Sequence, residues 1–159
     1  MVSESRPLIL STVLLKTMAN TSSSRDALKY LEELRFIKTK EEHPNFPYPV
    51  KKKYKDTGTN ELTKAIIDFI DLSGGWATRV STEGRYIKAK DIRIPSSVKV
   101  GTADIHACWK GKHLSIEVKV GSDRQRPEQK EIEQDILKAG GQYFIAKDFQ
   151  SFYNWITSL

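Results

Sequence analysis

The stretch that most constrains the fold runs from Gly101 to Gln129, GTADIHACWKGKHLSIEVKVGSDRQRPEQ. It reads as two β-strands, Ala103–Trp109 and His113–Val120, around a glycine-containing turn, followed by a Gly/Ser/Asp break and a helix start. Strand side chains alternate, so Asp104, His106 and Cys108 share one face, and Ile105, Ala107 and Trp109 the other. In the second strand Ser115, Glu117 and Lys119 alternate with Ile116, Val118 and Val120. An even-numbered loop around Gly111 brings Asp104 beside Glu117 and Lys119. Two carboxylates crowded in this way repel each other and lose hydration unless a cation neutralises them. A hard divalent ion such as Mg²⁺ takes carboxylate oxygens and keeps waters for a phosphate. Lys119 beside it would handle a proton or offset developing charge.

Composition narrows the partners. The 159 residues suffice for one domain with a real core, and the net charge of +6 favours a polyanionic partner. A single cysteine excludes an intramolecular disulfide and a cysteine zinc cluster; Cys108, among apolar strand residues, is expected to be a buried inert thiol rather than a nucleophile. The apolar run Pro7–Leu15 is much shorter than a membrane span and lacks a convincing basic start and cleavage site, so a cytoplasmic protein with no membrane partner is expected. Met18 opens a plausible polar N-terminus, so translation from Met18 is expected to suffice; an intact native mass that includes Met1 would remove this expectation.

Along the chain, Ser23 is expected to cap a helix that reaches about Lys38, with Ala27, Leu28, Leu31 and Leu34 as an apolar stripe. That stripe covers either the chain's own core or a second subunit. The prolines between Lys40 and Val50 make an extended linker, and Lys51-Lys52-Lys53-Tyr54-Lys55 is either a solvated loop or a phosphate-contacting arm. Thr59 or Asn60 is expected to cap a helix to Leu72 whose inward face is Leu62, Ala65, Ile66, Phe69 and Ile70. Glu61 lies in its first turn, where a carboxylate favours the helix dipole.

Trp76–Ser81 reads as a strand, and Thr82–Tyr86 as a turn carrying a cation and an aromatic. A basic, weakly structured segment follows, with Lys88, Lys90, Arg93 and Lys99. Pro127 begins a helix to about Ala139 with Ile132, Ile136 and Leu137 inward; Gln142–Ala146 is a buried strand, and Phe149–Ile156 a closing helix whose aromatics are core. This is α/β alternation without a Gly-rich phosphate loop, so a nucleotide cofactor has no support.

Asp104, a spacer of twelve residues and then Glu117-Val118-Lys119 resemble the D…(D/E)xK signature of PD-(D/E)XK nucleases. GTADI, IEVK and DRQRPEQ look most like the VRR-NUC-type branch, over about Asn60 to Ile145, although Ala103 stands where the family's name-giving pattern has Pro. The resemblance implies a restriction-endonuclease-like αβββαβ core, a mixed central sheet flanked by helices, over residues 51–159, behind an N-terminal helical extension of residues 1–50. It implies a Mg²⁺- or Mn²⁺-dependent DNA endonuclease, structure-selective and homodimeric. Asp104, Glu117 and the Val118 carbonyl would hold the metal, Lys119 would assist the attacking water, Gln129 would face the site, and Glu61 becomes a possible third carboxylate. Arg79, Arg85, Tyr86, Lys88, Lys99 and Arg124 are the candidate nucleic-acid contacts. Beside this reading stand a nucleic-acid-binding module without hydrolysis, and a basic α/β domain whose Asp104, Glu117 and Lys119 are a surface ion cluster.

Overall fold

A computed structural model describes residues 26–81, 84–94 and 96–159, without the side chains of Arg85, Ile87, Arg93 and Ile94. The expected Ser23 cap and everything before it, Met18 included, lie outside the described residues, as do Thr82, Glu83 and Pro95. The elements are α1 (Asp26–Glu42), α2 (Thr59–Leu72), β1 (Trp76–Arg79), β2 (Arg85–Ile87), β3 (Ile92–Ile94), β4 (Ile105–Trp109), β5 (Lys112–Val118), α3 (Pro127–Lys138), β6 (Gln142–Ala146) and α4 (Phe149–Thr157).

The chain is α/β, with a four-stranded mixed sheet in the order β1-β4-β5-β6. β1, β4 and β5 pair antiparallel, and β6 joins β5 parallel after the crossover through α3. The β4–β5 hairpin closes through two residues, Lys110 and Gly111, both with positive φ (47° and 78°). This loop matches the right-handed strand twist, and glycine supplies the second left-handed position without strain. Ile105 pairs with Ile116, which continues to Asp104 opposite Glu117.

One sheet face carries Ala77, Ile105, Ala107, Trp109, Leu114, Ile116 and Val118, all buried against α1, α2 and α4. The five α2 residues expected to point inward do so, and Phe69 sits among the rings of Tyr30, Trp109, Phe149, Phe152 and Tyr153. Ala27, Tyr30 and Leu31 of α1 belong to this same core, so the helix within the first fifty residues packs on the sheet domain instead of standing apart.

Several local expectations change. α1 continues to Glu42, and the cap of α2 is Gly58, with no side-chain cap bond from Thr59 or Asn60. The segment after β1 holds a two-stranded sheet, β2–β3, around a short 3₁₀ turn at Lys88–Lys90. In α3 Ile132 is buried and Ile136 half-buried, while Leu137 is 50 % exposed, because the helix covers the sheet along one edge only. β6 is half-buried except for Ala146, being an edge strand.

The lysine run is a strap. Lys51, Lys52 and Lys53 pair with Glu33, Asp68 and Glu32 at 2.5, 2.5 and 2.8 Å, and the Tyr54 hydroxyl donates to Asp68 at 2.6 Å. These lysines therefore tie α1 to α2, which their sequence neighbours did not announce.

The loop into β4 touches α3 at Gly101. Its φ is 87°, and a Cβ there would meet the Glu128 carbonyl oxygen at 2.5 Å. Gly101→Ala is expected to lower stability by about 1–3 kcal/mol, measured by urea unfolding, because it adds a left-handed strain to a backbone clash.

Candidate active site

The site side chains come from the start of β4, the end of β5 and the first turn of α3. Asp104 immediately precedes β4, and its Oδ2 accepts the Val118 N–H of β5 at 2.9 Å, which pins the carboxylate to the neighbouring strand. Glu117 is 1 % exposed and faces the same side. Lys119, 6 % exposed just beyond β5, donates from Nζ to Glu117 Oε1 at 3.0 Å and to Asp123 Oδ2 at 3.3 Å. Gln129 arrives from the first turn of α3. Its Oε1 accepts the Arg126 N–H at 2.9 Å, so its Nε2 is turned to donate to Glu117 Oε1 at 2.5 Å.

Both donors to Glu117 thus fall on one oxygen. The other, Oε2, is buried with no hydrogen-bond partner among the described residues. Burial pushes the Glu117 carboxyl above its ordinary value and the charge of Asp104 adds to this, against the pull of Lys119 and Gln129. Burial alone would lower the Lys119 ammonium, but Glu117 and Asp123 outweigh it and hold the pKa above normal. The site is therefore a buried acceptor without a donor, beside a second carboxylate, which is the chemistry a hard cation satisfies. Among the described residues no group of three His, Cys, Asp or Glu side chains is placed to hold a metal ion. The side-chain oxygens there that would hold one are those of Asp104 and Glu117.

A cleft of about 550 Å³ opens beside Asp104, lined by Gly101, Thr102, Arg126, Glu128 and Gln129 among others. Of the two site carboxylates, Asp104 lines this cleft.

The other sequence candidates are more scattered. Glu61 is exposed, its carboxylate lies back over Gly58 at the start of α2, and it forms no three-ligand group with Asp104 and Glu117. Its place is explained by the helix dipole. Arg79, exposed on β1, donates to Asn60 Oδ1 at 3.0 Å. The Arg85 side chain lies outside the described residues; Tyr86 is exposed and its hydroxyl donates to Asp91, and Lys88 is exposed. Lys99 pairs with Asp135 at 3.2 Å on the surface, and Arg124 is exposed. Cys108 is exposed, contrary to expectation, because it lies on the polar face of β4 away from the core helices.

Three residues near the site had no sequence assignment: Asp123, which holds Lys119, Arg126 on the cleft, and Tyr143. The Tyr143 hydroxyl is buried without a partner, and burial, then the charge of Glu117, push it up to about 12. Arg126 was visible as the residue before a helix-opening proline; Tyr143 belongs to β6, and only the parallel pairing of β5 with β6 reveals its neighbourhood.

No protein-family model matches the chain, and no curated protein matches it. No helix among the described residues is long and apolar enough to cross a membrane.

Gln129→Ala frees Glu117 Oε1 from one of its two donors. Mn²⁺ affinity, measured by calorimetry, is expected to fall about 10–100-fold, the usual effect of losing an outer-shell partner.

Proposed function

We propose that this chain is a metal-dependent endonuclease that hydrolyses DNA phosphodiester bonds, selective for branched, flap or four-way structures and acting as a homodimer. The observation that carries the reading is the convergence of Asp104 from the start of β4, Glu117 and Lys119 from the end of β5 and Gln129 from α3, with Glu117 Oε2 buried and without a hydrogen-bond partner among the described residues. The order α2, β1, β4, β5, α3, β6 supports a restriction-endonuclease-like αβββαβ core, with the β2–β3 hairpin as an insertion.

Asp104, Glu117 and the Val118 carbonyl would hold Mg²⁺ or Mn²⁺, which when bound supplies positive charge for the scissile phosphate and makes a coordinated water acidic. Lys119, kept charged by Glu117 and Asp123, would orient the attacking water or offset the charge that develops on the phosphate. Gln129 would hold the Glu117 carboxylate in place. Arg126, at the cleft, and Lys88, Lys99 and Arg124, on the surface, would contact the phosphate backbone; such contacts position a nucleic acid without reading its bases. Specificity would therefore come from the shape of the DNA. An alternative is a nucleic-acid-binding module of the same fold without hydrolysis.

The test is incubation with labelled linear, flap and four-way DNA in Mg²⁺, Mn²⁺ or EDTA. Metal-dependent cutting of the branched substrates, abolished in Asp104→Ala and Lys119→Ala, is the expected result. Binding without cutting favours the module, equal cutting of linear duplex removes the structure selectivity, and neither binding nor cutting leaves a surface ion cluster.

A further inference from the structure

We propose that His106 and His113 form a binding site for a borderline divalent cation of the Zn²⁺ class, separate from the carboxylate pair. Nδ1 of His106 and Nε2 of His113 are 3.2 Å apart, with ring centroids 5.1 Å apart and planes inclined by 56°. Two Zn–N bonds of about 2.0–2.1 Å at a tetrahedral angle set their nitrogens about 3.3 Å apart. The observed 3.2 Å matches that spacing, as it also matches a ring-to-ring hydrogen bond.

The two rings are diagonal neighbours on one sheet face: His106 pairs with Ser115, and His113 with Cys108. Both side chains stand on paired strands just behind the two-residue turn, so the ladder holds them in place without a ligand. His113 is exposed, which gives a cation access. Imidazole nitrogens favour Zn²⁺ and its neighbours over Mg²⁺ and Mn²⁺, whereas the oxygens of Asp104 and Glu117 favour the harder ions. One hairpin would thus sort two classes of cation onto two ends of the same face.

Among the described residues no group of three His, Cys, Asp or Glu side chains is placed to hold a metal, so the exposed Cys108 does not complete this pair and water would fill the remaining positions. The competing account is a plain hydrogen bond from one ring to the other. The inference does not depend on nuclease activity, so cleavage is not its readout.

Zn²⁺ is titrated by calorimetry into the protein in excess Mg²⁺, with imidazole NMR signals followed in parallel. The parent and Asp104→Asn are expected to take up one Zn²⁺ equally, with shifts at both His106 and His113. His113→Ala removes an exposed ring and no core packing, and is expected to weaken uptake by at least about 10–100-fold, as even an outer-shell loss does. Zn²⁺ should also raise the Tm of the parent and not of His113→Ala, since only the folded chain brings the rings together. The proposal is overturned if the parent takes up no Zn²⁺, if His113→Ala binds it as the parent does, or if Asp104→Asn abolishes uptake, which would put the ion on the carboxylates.

Discussion

Asp104→Asn is expected to abolish metal-dependent cleavage while making the metal-free protein more stable. The amide keeps an oxygen to accept the Val118 N–H, so the geometry of the loop into β4 survives. What disappears is a negative charge beside Glu117, whose carboxyl is already held above its ordinary range by burial and then by Asp104. A carboxyl with a raised folded pKa contributes stability in full below its unfolded value, and loses it as pH rises through the folded value. At neutral pH, above the ordinary Glu117 value of 4.5, the folded chain therefore carries the cost of that burial and crowding. Relief of about 1 kcal/mol corresponds to a rise in Tm of about 2–4 °C for a chain of this size. Calorimetric scans without metal should show the gain at pH 7–8 and its disappearance below the ordinary Glu117 value of 4.5. The same scans with Mn²⁺ should show stabilisation of the parent and none of Asp104→Asn. Equal Mn²⁺ stabilisation of both proteins would remove Asp104 from the metal site.

Lys119→Met carries the second large effect. The methionine fills similar space but leaves Glu117 with Gln129 as its only donor, and Asp123 with no cation. Cleavage is expected to fall about 10²–10³-fold, the usual loss when a preorganised group facing developing charge is removed. Unlike Asp104→Asn, this change should destabilise the metal-free fold by about 1–3 kcal/mol, because a buried carboxylate has lost a bonded partner. Urea unfolding of the double variant Glu117→Gln/Lys119→Met separates the two roles. Stability should recover relative to Lys119→Met, since no unpaired buried charge remains, while cleavage stays absent. Destabilisation that persists in the double variant would mean that Lys119 acts through packing alone.

The opposite signs of these effects follow from where each charge sits. Asp104 adds a like charge to a crowded pair, and Lys119 neutralises it. A functional carboxylate pair is thus expected to cost the empty fold stability that a bound cation restores.

Much of this arrangement was legible in the chain. The alternation of Ile105, Ala107 and Trp109 with Asp104, His106 and Cys108 states which residues share a face, and Gly111 in a two-residue turn sets the register. Pro127 and the Gly140-Gly141 pair mark the ends of α3 within a residue or two, since one lacks an N–H that a helix start does not need, and glycine at φ 84° ends the other side. The apolar stripe of α2 was equally plain. Less legible was the β2–β3 hairpin, whose strands are only three residues long each, too short for a pattern to stand out. Cys108 was misplaced because spacing tells where a residue lies on its own element, not what covers that element, and Glu61, offered as a third carboxylate by the resemblance alone, lies exposed over Gly58.

The two faces of the β4–β5 hairpin, and with them the meeting of Asp104, Glu117 and Lys119, are written in the order of residues, because side-chain alternation is a property of the backbone. The tertiary structure alone decided the rest of the site. Packing of α3 against β6 aims the Gln129 amide at one oxygen of Glu117, and the parallel pairing of β6 sets Tyr143 opposite Ser115 on the face that carries Glu117. The strap of Lys51, Lys52 and Lys53 onto Glu33, Asp68 and Glu32 belongs to the same class. Those contacts join segments distant in the chain, and they exist only because burying the apolar faces of the helices on one sheet fixes the distances between them.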